Sequence, residues 1–442
     1  MYYSDRNLLD AAKNNSLEIL CSKIIIRQQT KINPAVYVGT GLLKQNKNGG
    51  LALQAIWKNA EKTRYRTIDT ETLSRNLAQG TVFPRDIYFS IEATSVSGEV
   101  WVGSDIYLDS ISFGNTESLV LKGEILSIEQ TVARSQKPGA SFAKTIHCTA
   151  KNFTIAQNKV TDMGELGAER NKTEIKILNI DCIITKVSKE YICIDLLSKK
   201  SISEELAKGF INGLEIICGL SIEPLIEITY SKTRITKKVY SITKLENEYG
   251  LGRPIPCTRP DSLGDINEFL SKYCRQSKID RKKIEEYWKE VKTARESATE
   301  AYAKALAANA EGLLDAFFFE RKVADIEFRN QCQEWVGRID AMLSELKVPP
   351  RVQRKLLSNL ENAGAGSVRS AFYELFGKDT AEMWNSLRHP SMHGSMSVKY
   401  PEPQELFKDL DGCLYIFYSL IMMKINYNGK RYNYAKQGYP IE

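Results

Sequence analysis

The sequence predicts an α+β chain: a β-rich, sandwich- or barrel-like N-terminal domain over residues 1–255, followed by an all-α helical bundle over 262–442. Three observations predict it. Up to about residue 250, short runs of β-branched and aromatic residues alternate with polar ones between turn residues. Around 249–264, Pro254, Pro256, Pro260 and several glycines interrupt every pattern and mark a domain boundary. Between Pro260 and Pro349 there is no proline, and apolar residues recur at helical spacing.

In the N-terminal part, Leu51, Leu53, Ala55 and Trp57 fall on one strand face, and Asn48-Gly49 just before them is a hairpin turn signal facing Val36 and Val38. Further strands are expected over 87–91, 100–108, 119–128, 146–155 and 175–197, and over 226–230 paired with 235–242. The basic run 232–238 reads as an exposed edge strand protected by its charge. One helix breaks the β pattern at 203–219, where Leu206, Phe210, Leu214 and Ile217 share a face. In the C-terminal part, Trp335, Ile339, Met342, Leu343 and Leu346 line one helix face, and Leu406, Leu410, Cys413, Leu414, Phe417, Leu420 and Ile421 line another. A short helix carrying Val368, Phe372 and Leu375 is capped by Ser367 and ended by Gly377.

With 442 residues the chain is too long for one ordinary core, and 43% hydrophobic with 26% charged residues is the balance of a folded globular protein. The net charge of +7 is spread evenly, with 32 Lys and Arg against 28 Asp and Glu up to residue 250 and 29 against 26 beyond it. That distribution lacks the concentrated footprint of a dedicated DNA-binding domain and permits an RNA substrate without requiring one. Nine scattered cysteines without a close pair read as reduced, mostly buried thiols of a cytoplasmic protein. The N-terminus lacks a secretory pattern, and the apolar run 413–423 is about half of what a membrane span needs, so no membrane contact is expected.

The chemistry concentrates in one place. Of the three histidines, His147, His389 and His393, the last two fall in the stretch RHPSMH from Arg388 to His393. A helix marked by Asp379 and Glu382 leads to it, with Trp384 and Arg388 one turn apart. Pro390 disfavours helical geometry at His389, so the helix is expected to stop near Arg388 and leave His393 on a tight loop beside the same groove. A guanidinium and an imidazole suit RNA cleavage by attack of the ribose 2′-hydroxyl on its own phosphate. Imidazole titrates near neutrality and moves protons, while the planar cation stabilises the charge that grows on the phosphorane oxygens. That reaction needs no metal or other cofactor, and no cluster with metal-ligand spacing surrounds the motif. A carboxylate cluster for metal-assisted DNA processing is likewise missing from the pattern. One imidazole cannot be base and acid in the same step. Either His389 is the second group, or a twofold dimer brings two copies of the loop face to face; the dimer is favoured because symmetry places equivalent residues opposite each other.

The stretch MWNSLRHPSMHG resembles the HEPN superfamily pattern, in which Arg, a polar residue, a few variable residues and His lie between the last two main helices of a bundle. On that resemblance Arg388 and His393 match the catalytic pair and His389 the polar position after the Arg, whereas Pro390 departs from the pattern. The β-rich region ahead of the helical one resembles the architecture of ApeA-like abortive-infection proteins of bacterial antiphage defence. The resemblance implies an endoribonuclease acting as a homodimer or higher oligomer, controlled by its N-terminal domain through a phage-derived trigger. It also leaves open a catalytically inactive RNA-binding or protein-interaction module, since such family members exist. His389 and Asn385 are candidates for orienting the substrate, and Arg351, Arg354 and Lys355 for RNA phosphate contacts, against a plain solvated helix face. Trp384 reads as core rather than as a base-stacking platform, and His147 as structural.

Overall fold

The computed structural model describes residues 3–30, 34–58, 87–113, 118–134, 142–162, 168–242, 250–322, 326–364, 366–393 and 399–442. The chain divides into two compact units, Met1–Ile211 with Leu220–Glu248, and Asn212–Gly219 with Tyr249–Glu442. The first is β-rich and the second helical, an α+β arrangement.

After a short helix α1 (Tyr3–Lys13), six strands close on themselves: β1 (Glu18–Gln28), β2 (Val36–Gln45), β3 (Leu51–Lys58), β4 (Phe89–Ser95), β5 (Val100–Phe113) and β6 (Ser118–Ile125). Their order is β4-β1-β2-β3-β6-β5, and β5 pairs back onto β4, giving a barrel without an open edge. The β2–β3 hairpin turns where expected, with Gly49 at φ 87°, a conformation that L side chains rarely adopt. Alternate residues Leu43, Leu53, Ala55, Ile91, Ala93, Ile106 and Leu121 belong to its core.

Strand β1 lies outside the expected set for a physical reason. Its buried residues are Ile19 and Cys21, then Ile24 and Ile26, because a bulge between Cys21 and Ile24 shifts the alternation by one. A period-2 reading loses the strand at that slip. The expected strand over 119–128 is two strands, since the chain bends at exposed Leu126 between β6 and β7 (Ser127–Ala133).

The barrel opens into a second run of strands at β5. On one side β5 holds β4; on the other, Trp101 and Val102 pair with β7, whereas Tyr107 onward pairs with β6. From β7 the sheet continues through β14 (Arg234–Tyr240), β13 (Glu223–Tyr230), β8 (Phe142–Thr149), β12 (Tyr191–Ser198), β11 (Ile180–Lys186), β10 (Ala168–Ile177) and β9 (Lys159–Asp162). The basic strand β14 is therefore not an edge, as its charge suggested: it pairs with β7 on one side and β13 on the other. Ile235 and Val239 supply its buried face, and Lys238 occupies the opposite face of an interior strand, where its ammonium lies 4.8 Å from the Tyr240 ring centroid. The expected helix forms as α2 (Glu204–Cys218).

The helical unit contains α3 (Leu263–Arg275), α4 (Lys278–Ser297), α5 (Thr299–Phe317), α6 (Ile326–Glu345), α7 (Pro350–Glu361), α8 (Val368–Phe376), α9 (Lys378–His393) and α10 (Pro403–Lys424). Helix α5 packs on α4, α9 and α10, and α9 also packs on α8 and α10. Trp288, Leu306, Leu313, Phe372, Trp384, Leu387 and Phe417 fill this core. Helices α9 and α10 cross closely at Gly412, where an added Cβ would meet Met383 Cβ at 2.9 Å. Ser367 caps α8 by accepting the Ser370 amide, and Gly377 ends it at φ 78°, as the sequence indicated. Helix α6 forms where its apolar spacing predicts, yet none of its residues is buried.

Among the described residues no helix is long and apolar enough to cross a membrane. All nine cysteines are free thiols, and seven of them are buried.

Candidate active site

Helix α9 presents the Arg388 to His393 stretch, and its course differs from the expected one. The helix does not stop near Arg388 but runs through Pro390 to His393. A proline inside a helix leaves the carbonyl four residues earlier without its amide partner. Here that carbonyl belongs to Ser386, and the Lys399 ammonium donates to it at 2.7 Å. The cation replaces the missing N–H and stands near the C-terminal end of the helix, where positive charge is favourable.

Arg388 is anchored from two sides. Its Nε donates to Glu311 Oε2 at 2.8 Å and a terminal nitrogen lies 3.4 Å from Glu311 Oε1, a two-point pair across α9 and α5. Its guanidinium carbon lies 5.7 Å from the centroid of the Trp384 ring. Trp384 is itself 3% exposed, edge-on to Phe372 at 4.8 Å, and its indole N–H donates to the Ala307 carbonyl at 3.1 Å. It is core, as expected. Both contacts step one turn along each helix, Ala307 to Glu311 and Trp384 to Arg388, so α5 and α9 run in the same direction here. The guanidinium remains open to solvent, with 45% of the Arg388 side chain exposed.

Around it lies a polar network. Asn385 donates to Glu382 Oε2 at 3.2 Å, and Glu382 also accepts from Arg369 Nε at 3.2 Å. Arg369 holds the Glu382 carboxyl below its ordinary value. Glu382 thus serves this network rather than closing a capping box. On α10, burial raises the Asp409 carboxyl above its ordinary value although the Tyr400 hydroxyl donates to it at 2.7 Å and Lys399 is near.

The side chains of His389 and His393, on which the sequence reading placed catalysis, lie outside the described residues. The backbone fixes their register: on an ideal helix, positions five apart are separated by about 7.5 Å along the axis and about 140° around it. Arg351, Arg354 and Lys355 are exposed on α7, which packs on α6, whereas Arg388 belongs to α9. His147 is 5% exposed in the first unit, and its Nε2 has no partner among the described residues. Glu311 and Lys399 were missed by the sequence reading. Glu311 stands in an alanine-rich helix 77 positions from Arg388 with no local mark, while Lys399 has a signal in retrospect, since a helical proline requires a donor for its orphaned carbonyl.

Among the described residues no group of three or more His, Cys, Asp or Glu side chains could hold a metal ion. No family model, curated protein or solved structure matches the chain.

Proposed function

We propose that this chain is a metal-independent endoribonuclease of the HEPN type, working as a homodimer in ApeA-like antiphage abortive infection, with Arg388 and His393 as its catalytic pair. The observation that supports it most directly is the solvent-open Arg388 guanidinium, held by Glu311 and Trp384 on the same helix that carries His393. A charge fixed in this way is organised before a phosphate arrives, which is what stabilisation of a developing oxyanion requires.

In the proposed step the ribose 2′-oxygen attacks the adjacent phosphorus and gives its proton to an imidazole. The phosphorus to 5′-oxygen bond breaks, and the leaving oxygen takes a proton from a second acid. The products are a 2′,3′-cyclic phosphate and a 5′-hydroxyl. Helical spacing sets backbone positions 388 and 393 on different faces of α9, which favours a site shared across a twofold axis over one built within a single chain. His389 and Asn385 would orient the substrate, and the N-terminal unit would restrain the nuclease until a phage component releases it.

The Arg388–Glu311 pair also favours a second reading, since a guanidinium already matched to a carboxylate suits a catalytically silent RNA-binding or interaction module. One experiment separates the two. Purified full-length protein, Arg388→Ala and His393→Ala are each incubated with total RNA and phage lysate, the source of the releasing component, and the ends are mapped. The nuclease reading expects cyclic phosphate ends from the wild type alone, unaffected by chelator, and resistance of a linkage with deoxyribose at the cleaved position. Cleavage retained in either variant, or absent from the triggered wild type, removes it.

A further inference from the structure

Helices α6 and α7 form an antiparallel hairpin in which no residue of either helix is buried. Its inner side is joined by Gln353, whose amide donates to Asp340 Oδ1 at 2.6 Å and to Ser344 Oγ at 2.9 Å. Its outer side is apolar in a regular way. Phe328, Cys332, Trp335, Ile339, Met342 and Leu346 follow one another by four, three, four, three and four residues. That 3.5-residue period keeps a seam facing a partner helix. In this chain most of the seam faces water: Trp335 is 50% exposed, Met342 56% and Leu346 72%, with Cys332 and Ile339 half-buried between them. On α7, Val352 and Leu356 are 49% and 42% exposed. A contiguous apolar stripe of this kind marks an interaction surface rather than the scattered single residues normal on any protein.

Charge indicates what covers it. Helix α6 carries Glu327, Glu334, Asp340 and Glu345 against Arg329 and Arg338, so it is acidic; α7 carries Arg351, Arg354 and Lys355 against Glu361, so it is basic. We propose that the hairpin is half of a four-helix bundle, completed by the hairpin of a second copy of this chain. The α6 seam of each copy packs on α7 of the other. Every acidic helix in that ring then lies between two basic ones, and a single patch serves both copies, as a twofold interface requires. Trp335, stacked on Arg338 at 5.0 Å, supplies the aromatic and guanidinium anchor that dominates such interfaces. In this arrangement Arg351, Arg354 and Lys355 meet the partner's acidic helix rather than RNA. The inference is drawn from the hairpin alone and does not rest on nuclease activity.

Sedimentation equilibrium of the full chain without RNA tests it. The wild type is expected to be a dimer at micromolar concentration. Trp335→Glu combined with Met342→Glu is expected to weaken it about a hundredfold, with unchanged helical circular dichroism because both side chains already face water. A chain with Arg354→Glu and Lys355→Glu should dimerise poorly alone and form a mixed dimer with one carrying Glu334→Lys and Glu345→Lys. Arg388→Ala should dimerise as the wild type does, so loss of cleavage and loss of association are told apart. A wild-type monomer, or a dimer indifferent to the Trp335 and Met342 substitutions, overturns the proposal.

Discussion

The Arg388 guanidinium meets the Glu311 carboxylate at two points, 2.8 and 3.4 Å apart, one helical turn beyond the place where Trp384 donates to the backbone of the same helix. The pair restrains a long side chain that would otherwise sample many rotamers. Its worth to folding is small, because Arg388 is 45% and Glu311 27% exposed and water screens the attraction. Glu311→Ala is therefore expected to change unfolding free energy by no more than about 1 kcal/mol. On the proposed nuclease reading, cleavage by the same variant should fall roughly tenfold in kcat with little change in KM, since about 1.4 kcal/mol of transition-state stabilisation is one factor of ten. Single-turnover cleavage beside a denaturant melt checks both. An unaltered rate would show that the carboxylate does not position the cation.

Pro390 and Lys399 form a compensating pair around the Ser386 carbonyl. Pro390→Ala restores the amide that this carbonyl lacks, so it should stabilise the helical unit by about 1–3 kcal/mol. Lys399→Ala alone should destabilise, and the same change made on top of Pro390→Ala should cost much less. Thermal melts of the four proteins in a double-mutant cycle measure the coupling, and additive effects would refute it.

Gly412 admits α9 close to α10. A methyl at that position would stand 2.9 Å from Met383 Cβ and 3.1 Å from its Cγ, within a packed crossing that includes buried Leu410 and Cys413. Gly412→Ala is expected to destabilise by about 1–3 kcal/mol despite the higher helix propensity of alanine. Urea denaturation decides, and a stabilised variant would mean that α9 can shift freely along α10.

His147 gives the first unit a pH dependence. Burial, aided by the charge of Lys13, lowers its pKa from 6.5 to about 4. The folded protein therefore keeps the ring neutral where the unfolded chain already binds a proton. Stability from this group is full above pH 6.5, declines as the pH falls towards about 4, and levels off below. The loss is of the order of 3 kcal/mol. Replacing the ring with a group that does not titrate, as in His147→Gln, should flatten the slope of unfolding free energy between pH 6.5 and 4. An unchanged slope would assign the dependence to other groups.

Much of the architecture can be read from local patterns. The Asn48-Gly49 turn, the α2 stripe, the Ser367 cap and the Gly377 stop are each short-range chemistry, and each appears where that chemistry predicts. Strand β1 escapes the same reading because its bulge slips the alternation, and β14 is misplaced because charge density says nothing about which strands lie beside it. The candidate site divides in the same way. The Arg388 to His393 spacing and the core role of Trp384 are visible in one short stretch, whereas Glu311 and Lys399 are not.

Periodicity, turn residues and caps determine which segments are strands or helices, since they act between residues a few positions apart. Closure of β5 onto β4, passage of the helix through Pro390, and the choice of Glu311 to hold Arg388 belong to the folded molecule. Each depends on groups that meet only when distant segments pack, and an orphaned carbonyl or an exposed guanidinium takes whichever partner that packing brings within reach.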